Sequence, residues 1–387
     1  MLGLCTVFLV LVGVTVGGVI ENWPNSRTIP NLPSAQRPPS YDAQVVALRA
    51  THCRVPGIRG CSIATVRLGQ GPDRGHTASF HFGDTGGNTR LSLGDRVLVT
   101  KNALPQGAVI GNLPVDAYAF VDFQRGRPLL YLALAFALLV IVAGRFHGLR
   151  ALVGLGASLA TVVFFIVPAI ADGRPPLQVA AFGGLGVMLL TIPLVHGGGA
   201  KSLAACLGTA AALLLTLGLA NLFTHLAHLS GLTSDQALYL QTVSHVSIRG
   251  LLLAGMVIGA LGVLGDTTVT QASTVIALRR ANPSLGFRDL VTHATSVGRD
   301  HIAATVNTLV LAYTGAALPT LIIISIGDTS LGYAVTTETI AEAIVATLVG
   351  SIGIIAAVPA TTALAALLAL HLPERSLSAE HAHVHAH

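Results

Sequence analysis

A carboxylate followed by hydroxyl and amide side chains forms a candidate site for an ion or a polar solute. Asp266 precedes Thr270 and Thr274 at intervals of four residues. Positions four apart lie on one helix face. A helix that continues through this segment therefore carries a polar stripe, with Thr267 and Gln271 beside it. In the alternative interpretation, Asp266 begins a loop and caps the next helix.

A second polar group begins a later apolar segment. Asp300 and Asn307 are seven residues apart and so share one helix face, and Thr308 follows directly. An amide about two turns inside a membrane helix needs a partner, because lipid offers none. Asn307 either bonds to a neighbouring helix for packing or lines a path for a polar solute, and the sequence leaves both open.

Pro359 lies inside the last apolar segment and is followed by Thr361 and Thr362. A proline inside a helix frees a backbone carbonyl. Broken helices at membrane depth often line substrate or ion sites in transporters. The pattern favours two half-helices around Pro359 and adds Pro359 and Thr362 to the candidate pathway. A kink that absorbs hydrophobic mismatch is the alternative.

Motifs for enzyme catalysis are absent from the sequence, which contains no HExxH, GxSxG or CxxC. We therefore predict no enzyme activity and no cofactor, although Asp266 and Asp300 keep an intramembrane catalytic pair as a third alternative. The C-terminal tail contains alternating histidines that chelate Zn or Ni only weakly, and a solvated tail without a metal is favoured. These weak metal candidates are His381, His383, His385 and His387.

The composition indicates which elements position these residues. The 387-residue chain is 52% hydrophobic and only 10% charged, so a soluble fold would expose large apolar patches. We predict an α-helical polytopic membrane protein of about eight transmembrane helices, most of them near the roughly 20 residues that cross a bilayer. The predicted spans are 2–20, 128–144, 149–171, 177–195, 202–229, 249–265, 302–326 and 343–372.

The loop charges predict the orientation of these spans. Basic residues concentrate on one side, at Arg145, Arg150, Lys201, Arg279 and Arg280, and acidic residues such as Asp172 and Asp235 lie on the other. The positive-inside rule then places both termini in the cytoplasm and residues 21–127 outside. The net charge of +5 is thus explained by topology, and no nucleic-acid partner is expected.

Residues 21–127 differ in character from the spans around them. Short alternating runs at 43–50, 62–68, 77–82, 96–100 and 118–123 are separated by Gly and Asp clusters, which predicts a small all-β, barrel-like domain after a linker. Cys53 and Cys61 fall here on the oxidising side, and we predict a disulfide. The predicted domains are an uncleaved signal anchor (1–20), this extracytoplasmic part (21–127), a seven-helix bundle (128–372) and a His-rich cytoplasmic tail (373–387).

Four motifs of the sequence lie at 144–149, at 255–275, at 298–319 (GRDHIAATVNTLVLAYTGAALP) and in the run 348–353 with 359–362. Together they resemble those of the YibE/F family of multi-pass bacterial membrane proteins, particularly its actinobacterial members. The resemblance covers most of the chain after Tyr118 and implies a bacterial inner-membrane location. Where relatives have two acidic residues before the Thr-rich run, this chain has Gly265 and then Asp266, which weakens any role that needs both.

Two principal functions remain. The first is a permease for a small polar or ionic solute, because intramembrane polar groups are costly and often mark a pathway. The second is a non-transporting scaffold or regulatory protein whose β domain binds an extracytoplasmic protein partner. In either case the lipid bilayer surrounds the helices.

Overall fold

A computed structural model describes residues 2–24, 39–53, 60–83, 90–102, 109–110, 113–243, 246–327 and 330–371. The chain divides into two compact units, which are described separately below. One unit consists of Met1–Ile29 and Gly144–His387, and the other of Pro30–Ala143. The metal candidates His381, His383, His385 and His387 lie outside the described residues.

Helices account for most of the first unit. The helices of the chain are α1 Leu2–Glu21, α2 Gly126–Thr161, α3 Val167–Ala171, α4 Pro176–His196, α5 Ala200–Leu226, α6 Asp235–Val243, α7 Ile248–Ala281, α8 Phe287–Ile326, α9 Leu331–Thr336 and α10 Glu338–Leu370. Residues 126–143 of α2 belong to the second unit. Among the described residues, seven helical segments are long and apolar enough to cross a membrane. We predicted eight spans, and two of them form a single 46-residue run, Gly126–Ala171. Arg145 interrupts the helical geometry of that run with φ 49° and ψ −126°.

A π-helical turn, Val162–Ile166, joins α2 to α3. The backbone N–H of Val167 donates to the carbonyl of Val162, five residues back. Pro168 follows directly, and a proline ring clashes with the carbonyl four residues earlier and cannot donate to it. The wider turn accommodates that clash. Such turns are frequent at functional sites.

Helices α5, α7 and α10 pack against one another, and α4 and α8 each pack against α7. Small residues permit this close approach. A Cβ atom on Gly208 of α5 would lie 3.2 Å from the Cα atom of Thr361 on α10. Leu213, Leu264 and Ile354 fill the core between the three helices.

The structure excludes one open alternative and one expectation about helix continuity. Helix α7 continues to Ala281, so Asp266 does not begin a loop. Helix α10 runs through Pro359 without dividing into half-helices. The proline ring is exposed, and we attribute the continuity to the buried residues on both sides of it, among them Ala357 and Thr361, which hold the helix against its neighbours.

The second unit contains a five-stranded antiparallel sheet in the order β3-β2-β1-β4-β7. Its strands are β1 Ser40–Ala50, β2 Ser62–Leu68, β3 Thr77–Phe82, β4 Arg96–Lys101 and β7 Tyr118–Phe123, and a separate pair comprises β5 Val109–Ile110 and β6 Leu113–Pro114. Alternate residues of the sheet point into one core, including Val45, Val66, Phe80, Val97 and Val99.

The edges of this sheet approach each other without pairing, which makes a half-barrel where we predicted a barrel-like fold. Phe82 of β3 and Phe120 of β7 make an edge-on ring contact with centroids 4.9 Å apart. The backbone N–H of His81 donates to the Asp116 carboxylate over 2.8 Å. A disulfide joins Cys53 and Cys61 between β1 and β2, as the sequence predicted.

A polar triad ties the β2–β3 connection to β4 and β7. The Asp73 carboxylate accepts from Lys101 Nζ over 2.7 Å and from Tyr118 Oη over 2.6 Å. These hydrogen bonds lower the pKa of Asp73, the one from Lys101 most strongly. Burial, with the bond to Asp73, raises the pKa of Tyr118 to about 12.

Candidate functional site

The predicted polar stripe of α7 divides between two sides of the helix. Gln271 is buried in the bundle core with 2% of its surface exposed. Asp266 and Thr270 lie on the exposed side, and Thr274 is half-buried between them and the core. The periodicity along α7 therefore places the candidate residues on one helix but not in one site.

Gln271 and Thr362 are the two predicted residues that meet directly. The Gln271 amide nitrogen donates to Thr362 Oγ1 on α10 and to the carbonyl of Ala294 on α8, each over 2.7 Å. Thr362 in turn donates to the carbonyl of Val358 over 2.6 Å. One amide thus links α7, α8 and α10.

A second polar contact, which the sequence did not reveal, lies in the same part of the core. Thr209 Oγ1 of α5 and Thr268 Oγ1 of α7 lie 2.6 Å apart, and both residues are fully buried. A Cβ on Gly298 of α8 would lie 2.8 Å from Gln271 Oε1. We call Thr209, Thr268, Gln271 and Thr362 the sealed seam, because their side chains are buried and lie within hydrogen-bond distance of one another in pairs.

Asp266 lines a cavity of about 400 Å³ bounded by α2, the π-helical turn, α4 and α7. Its other polar lining residues are Ser158, Thr191 and His196. Ser158 and Thr191 donate to carbonyls of their own helices, over 2.9 Å and 2.8 Å. Asp266 and His196 therefore remain to face a ligand in this space, which we call the Asp266 cavity.

The charges around His196 make this end of the bundle polar. His196 interacts electrostatically with Lys201, Asp266 and His147. Because α4 ends at His196 and α5 begins at Ala200, the imidazole and the Lys201 ammonium lie at the same end of the bundle. The Asp266 cavity thus combines an apolar wall with one carboxylate and two basic groups near its mouth.

A second cavity, of about 350 Å³, lies between α7, α8 and α10 and contains Glu342. Glu342 Oε2 accepts from Thr233 Oγ1 over 3.0 Å, but Oε1 is buried without a hydrogen-bond partner among the described residues. The remaining lining is mostly apolar and includes Gly255 and Tyr313. We call this space the Glu342 cavity. The carboxylate is half-buried.

The preceding acidic residue in α10 has a structural role. Glu338 accepts hydrogen bonds from the backbone N–H groups of Ser230 and Gly231 and from Ser230 Oγ, the last two over 2.9 and 3.1 Å. It fastens the α5–α6 connection to the start of α10. Its neighbour Glu342 is the member of the pair with a carboxylate oxygen free for a ligand.

A glycine face on α7 extends from the residues of one cavity to those of the other. Gly255 lines the Glu342 cavity, and Gly262 and Asp266 line the Asp266 cavity. Gly259 lies between them, so the four residues follow intervals of four, three and four and share one helix face. All four are exposed. The face extends about 16 Å, because eleven residues rise about 1.5 Å each.

The other candidate residues lie outside both cavities. Asp300, Asn307 and Thr308 have exposed side chains on α8, and Thr308 donates to the Ala304 carbonyl over 3.0 Å. Pro359 is exposed on α10. The predicted pathway residues therefore do not converge on one site, and among the described residues no cluster of His, Cys, Asp and Glu can hold a metal ion.

Comparison with known proteins identifies the family. Residues 132–371 match the family described as YibE/F-like protein. This match extends over more than half of the 387 residues, and the chain belongs to that family. No curated protein and no solved structure matches the chain.

Proposed function

We propose that this member of the YibE/F-like family is a multi-pass protein of the bacterial cell membrane that passes a small polar or ionic solute. The solute would travel along the glycine face of α7. The observation that carries the proposal is that a carboxylate lies in a cavity at each end of this face, Glu342 at one and Asp266 at the other. Two carboxylates favour a cation.

The lengths of the helices support insertion into a bilayer. The run Gly126–Ala171 has 46 residues and extends about 69 Å, roughly twice the hydrocarbon thickness of about 30 Å. Two crossings with a turn at Arg145 would accommodate it, giving eight crossings in total. Lys201, Arg279 and Arg280 would then face the cytoplasm with both termini, and residues 21–127 would lie outside.

This orientation would assign the two carboxylates to opposite sides of the membrane. Arg279 and Arg280 end α7 beyond Asp266, so Asp266 belongs to the cytoplasmic end of the path. Glu342 lies in the second turn of α10, which starts on the outer side. The exposed glycine face between them would offer a path lined by backbone, with the Tyr313 hydroxyl 3.2 Å from the position of a Cβ at Gly259.

The sealed seam supports this route over one through the centre of the bundle. Gln271 and Thr362 are buried and hydrogen-bonded to each other. The Gln271 side chain also occupies the space beside Gly298. A route through them would require these hydrogen bonds to break in a dry environment, which costs about 1 to 3 kcal/mol for each group left unpaired. These residues are therefore proposed to hold the helices together.

Flux measurements on the full-length protein in liposomes test the proposal. Vesicles loaded with the pH dye pyranine report protons, and ²²Na⁺ uptake reports a monovalent cation. We expect flux of at least one of these ions with the native chain and loss of it with Asp266→Asn. Gly259→Leu, which would fill the glycine face beside Tyr313, is expected to reduce the same flux.

Two matched substitutions control for nonspecific damage. Asp300→Asn changes the same chemical group on the exposed surface of α8 and is expected to leave flux unchanged. Gly218→Leu introduces the same side chain on α5, at a position where a Cβ would meet nothing within 4 Å, and is also expected to leave flux unchanged. The route is refuted if the native chain conducts neither ion, or if Asp300→Asn reduces flux as much as Asp266→Asn.

The scaffold role remains the second candidate, and the separate compactness of residues 30–143 favours it. In that role the β domain would bind an envelope protein and the helices would only anchor it. Crosslinking of the full chain in bacterial envelopes would give one dominant protein partner. That outcome, together with a native chain that conducts neither ion, would replace the transport proposal.

A further inference from the structure

The β domain has a polar cleft of about 300 Å³ on the sheet face opposite its apolar core. Its polar lining residues are Asp42, Gln44, Arg67, Gln70 and Arg96, contributed by β1, β2, β4 and the turn after β2. Cavities of this volume are within the range that small ligands occupy. The cleft belongs to residues 30–143 alone and is independent of the helical bundle.

The strand register brings the two arginines to the same row of the sheet. Gln44 of β1 pairs with Arg67 of β2 on one side and with Arg96 of β4 on the other. Neighbouring strands lie about 4.8 Å apart, so the two Arg Cα atoms are about 10 Å apart across Gln44. The Gln44 amide donates to the Gly94 carbonyl over 3.3 Å, which leaves the guanidinium groups on either side of it.

Neither arginine has an ion-pair partner within the described part of the chain. The ion pairs of this domain there are His81–Asp116, Lys101–Asp73 and Arg125–Asp122. Asp122, on the neighbouring strand β7, is thus already bonded to Arg125 over 2.6 Å. The two guanidinium groups therefore share one cleft without an ion pair to a described carboxylate and remain available to an anion.

Asp42 adds a negative group at one end of the cleft. It lies two residues before Gln44, on the same strand and face, about 7 Å away. Asp42 forms no ion pair with either arginine among the described residues. The cleft therefore presents two guanidinium groups at one end and a hydrogen-bond acceptor at the other.

We infer that this cleft binds a phosphate ester of a small alcohol. Guanidinium groups match phosphate oxygens with paired, charge-assisted hydrogen bonds, so Arg67 and Arg96 would hold the phosphate. A hydroxyl of the alcohol would donate to the Asp42 carboxylate. A phosphate ester that also carries a hydroxyl occurs both in free phosphate esters and in the glycerophosphate headgroup of phosphatidylglycerol.

Calorimetric titration of the full chain in phosphatidylcholine nanodiscs with glycerol 3-phosphate tests this inference. We expect saturable binding, and Arg67→Gln and Arg96→Gln are each expected to weaken it about tenfold or more, since each removes charged hydrogen bonds. Arg49→Gln provides the matched control, because Arg49 is exposed on β1 outside the cleft. Its affinity is expected to remain within about twofold of native.

Asp42→Asn tests the role of the alcohol. It is expected to weaken binding of glycerol 3-phosphate relative to inorganic phosphate, because only the ester carries a hydroxyl for Asp42. Nanodiscs of phosphatidylglycerol then distinguish the sources. A weaker apparent affinity for the free ester there identifies the headgroup as the competing ligand, whereas an unchanged affinity identifies a free ester.

Three results would overturn the inference. They are the absence of binding at millimolar glycerol 3-phosphate, an equal loss in Arg49→Gln, and an affinity that is unchanged in both Arg67→Gln and Arg96→Gln. Circular dichroism of each variant, compared with the native chain, establishes that a loss of binding is not a loss of the sheet. None of these outcomes depends on ion flux through α7.

Discussion

Replacing Gly208 with alanine is expected to force α5 and α10 apart. The new Cβ would lie 2.9 Å from the Cβ and 3.2 Å from the Cα of Thr361, with Thr361 Oγ1 nearer still. Real side chains do not tolerate this spacing, and two of these atoms cannot rotate away. Overpacking in a rigid core costs about 1 to 3 kcal/mol, so the free energy of unfolding is expected to fall by that amount.

Cys206 supplies a native reporter for this change. Its side chain is fully buried, two residues from Gly208 on α5. Cys53 and Cys61 are joined in a disulfide, and exposed Cys5 can be replaced by serine as a background. A maleimide then reacts with Cys206 only when the helices open. A loss of 1 to 3 kcal/mol raises the reaction rate about 5- to 150-fold, because about 1.4 kcal/mol is a factor of ten.

A double-mutant cycle identifies the contact responsible. Thr361→Ala removes the nearest atom and leaves the Cβ contact, so it is expected to restore part of the protection lost in Gly208→Ala. Gly218→Ala, on the same helix with open space around it, is expected to change the rate little. The close-packing argument is refuted if Gly208→Ala and Gly218→Ala react at the same rate, or if Thr361→Ala restores nothing.

Two further predictions concern the β domain and the sealed seam. In a difference titration at 295 nm against Tyr118→Phe, Tyr118 is expected to ionise near pH 12. Asp73→Asn is expected to lower the pKa of Tyr118, while burial keeps that pKa above 10. The pKa of Tyr118 is higher in the folded than in the unfolded chain. The contribution of its protonated hydroxyl to the free energy of unfolding is therefore complete below pH 10 and is lost as the pH rises through 12. Gln271→Leu is expected to cost about 1 to 2 kcal/mol in the Cys206 assay, because two neutral hydrogen bonds are lost. An unshifted Tyr118 pKa or an unchanged Cys206 rate would contradict the respective prediction.

The strands were predictable because their signals are local. Three of the five sheet strands, Ser62–Leu68, Thr77–Phe82 and Tyr118–Phe123, have the predicted bounds. Alternating apolar residues set the two faces, and Gly and Asp residues end each run. The closure of the sheet was not predictable in the same way, because the contact between Phe82 and Phe120 joins strands that do not pair.

The candidate site was only partly predictable from the sequence. A helix that is apolar on all sides carries no signal for which face meets its neighbours. Gln271 therefore could not be separated from Asp266 by periodicity, although one is buried and the other is exposed. The partner of Gln271, Thr362, lies 91 positions away, and only the packing of α7 against α10 reveals it.

Hydrogen-bond satisfaction distinguishes the sealed seam of this bundle from its two cavities. Gln271, Thr362, Thr209 and Thr268 all bond to protein partners. Such groups stabilise helix packing and leave nothing for a solute. The Glu342 Oε1 atom has no hydrogen-bond partner among the described residues, and Asp266 lines a cavity whose Ser and Thr hydroxyls are already bonded. Under the proposed route, a cation beside the buried Glu342 Oε1 would offset the cost of an unpartnered carboxylate in a membrane helix, which is about 2.5 kcal/mol or more.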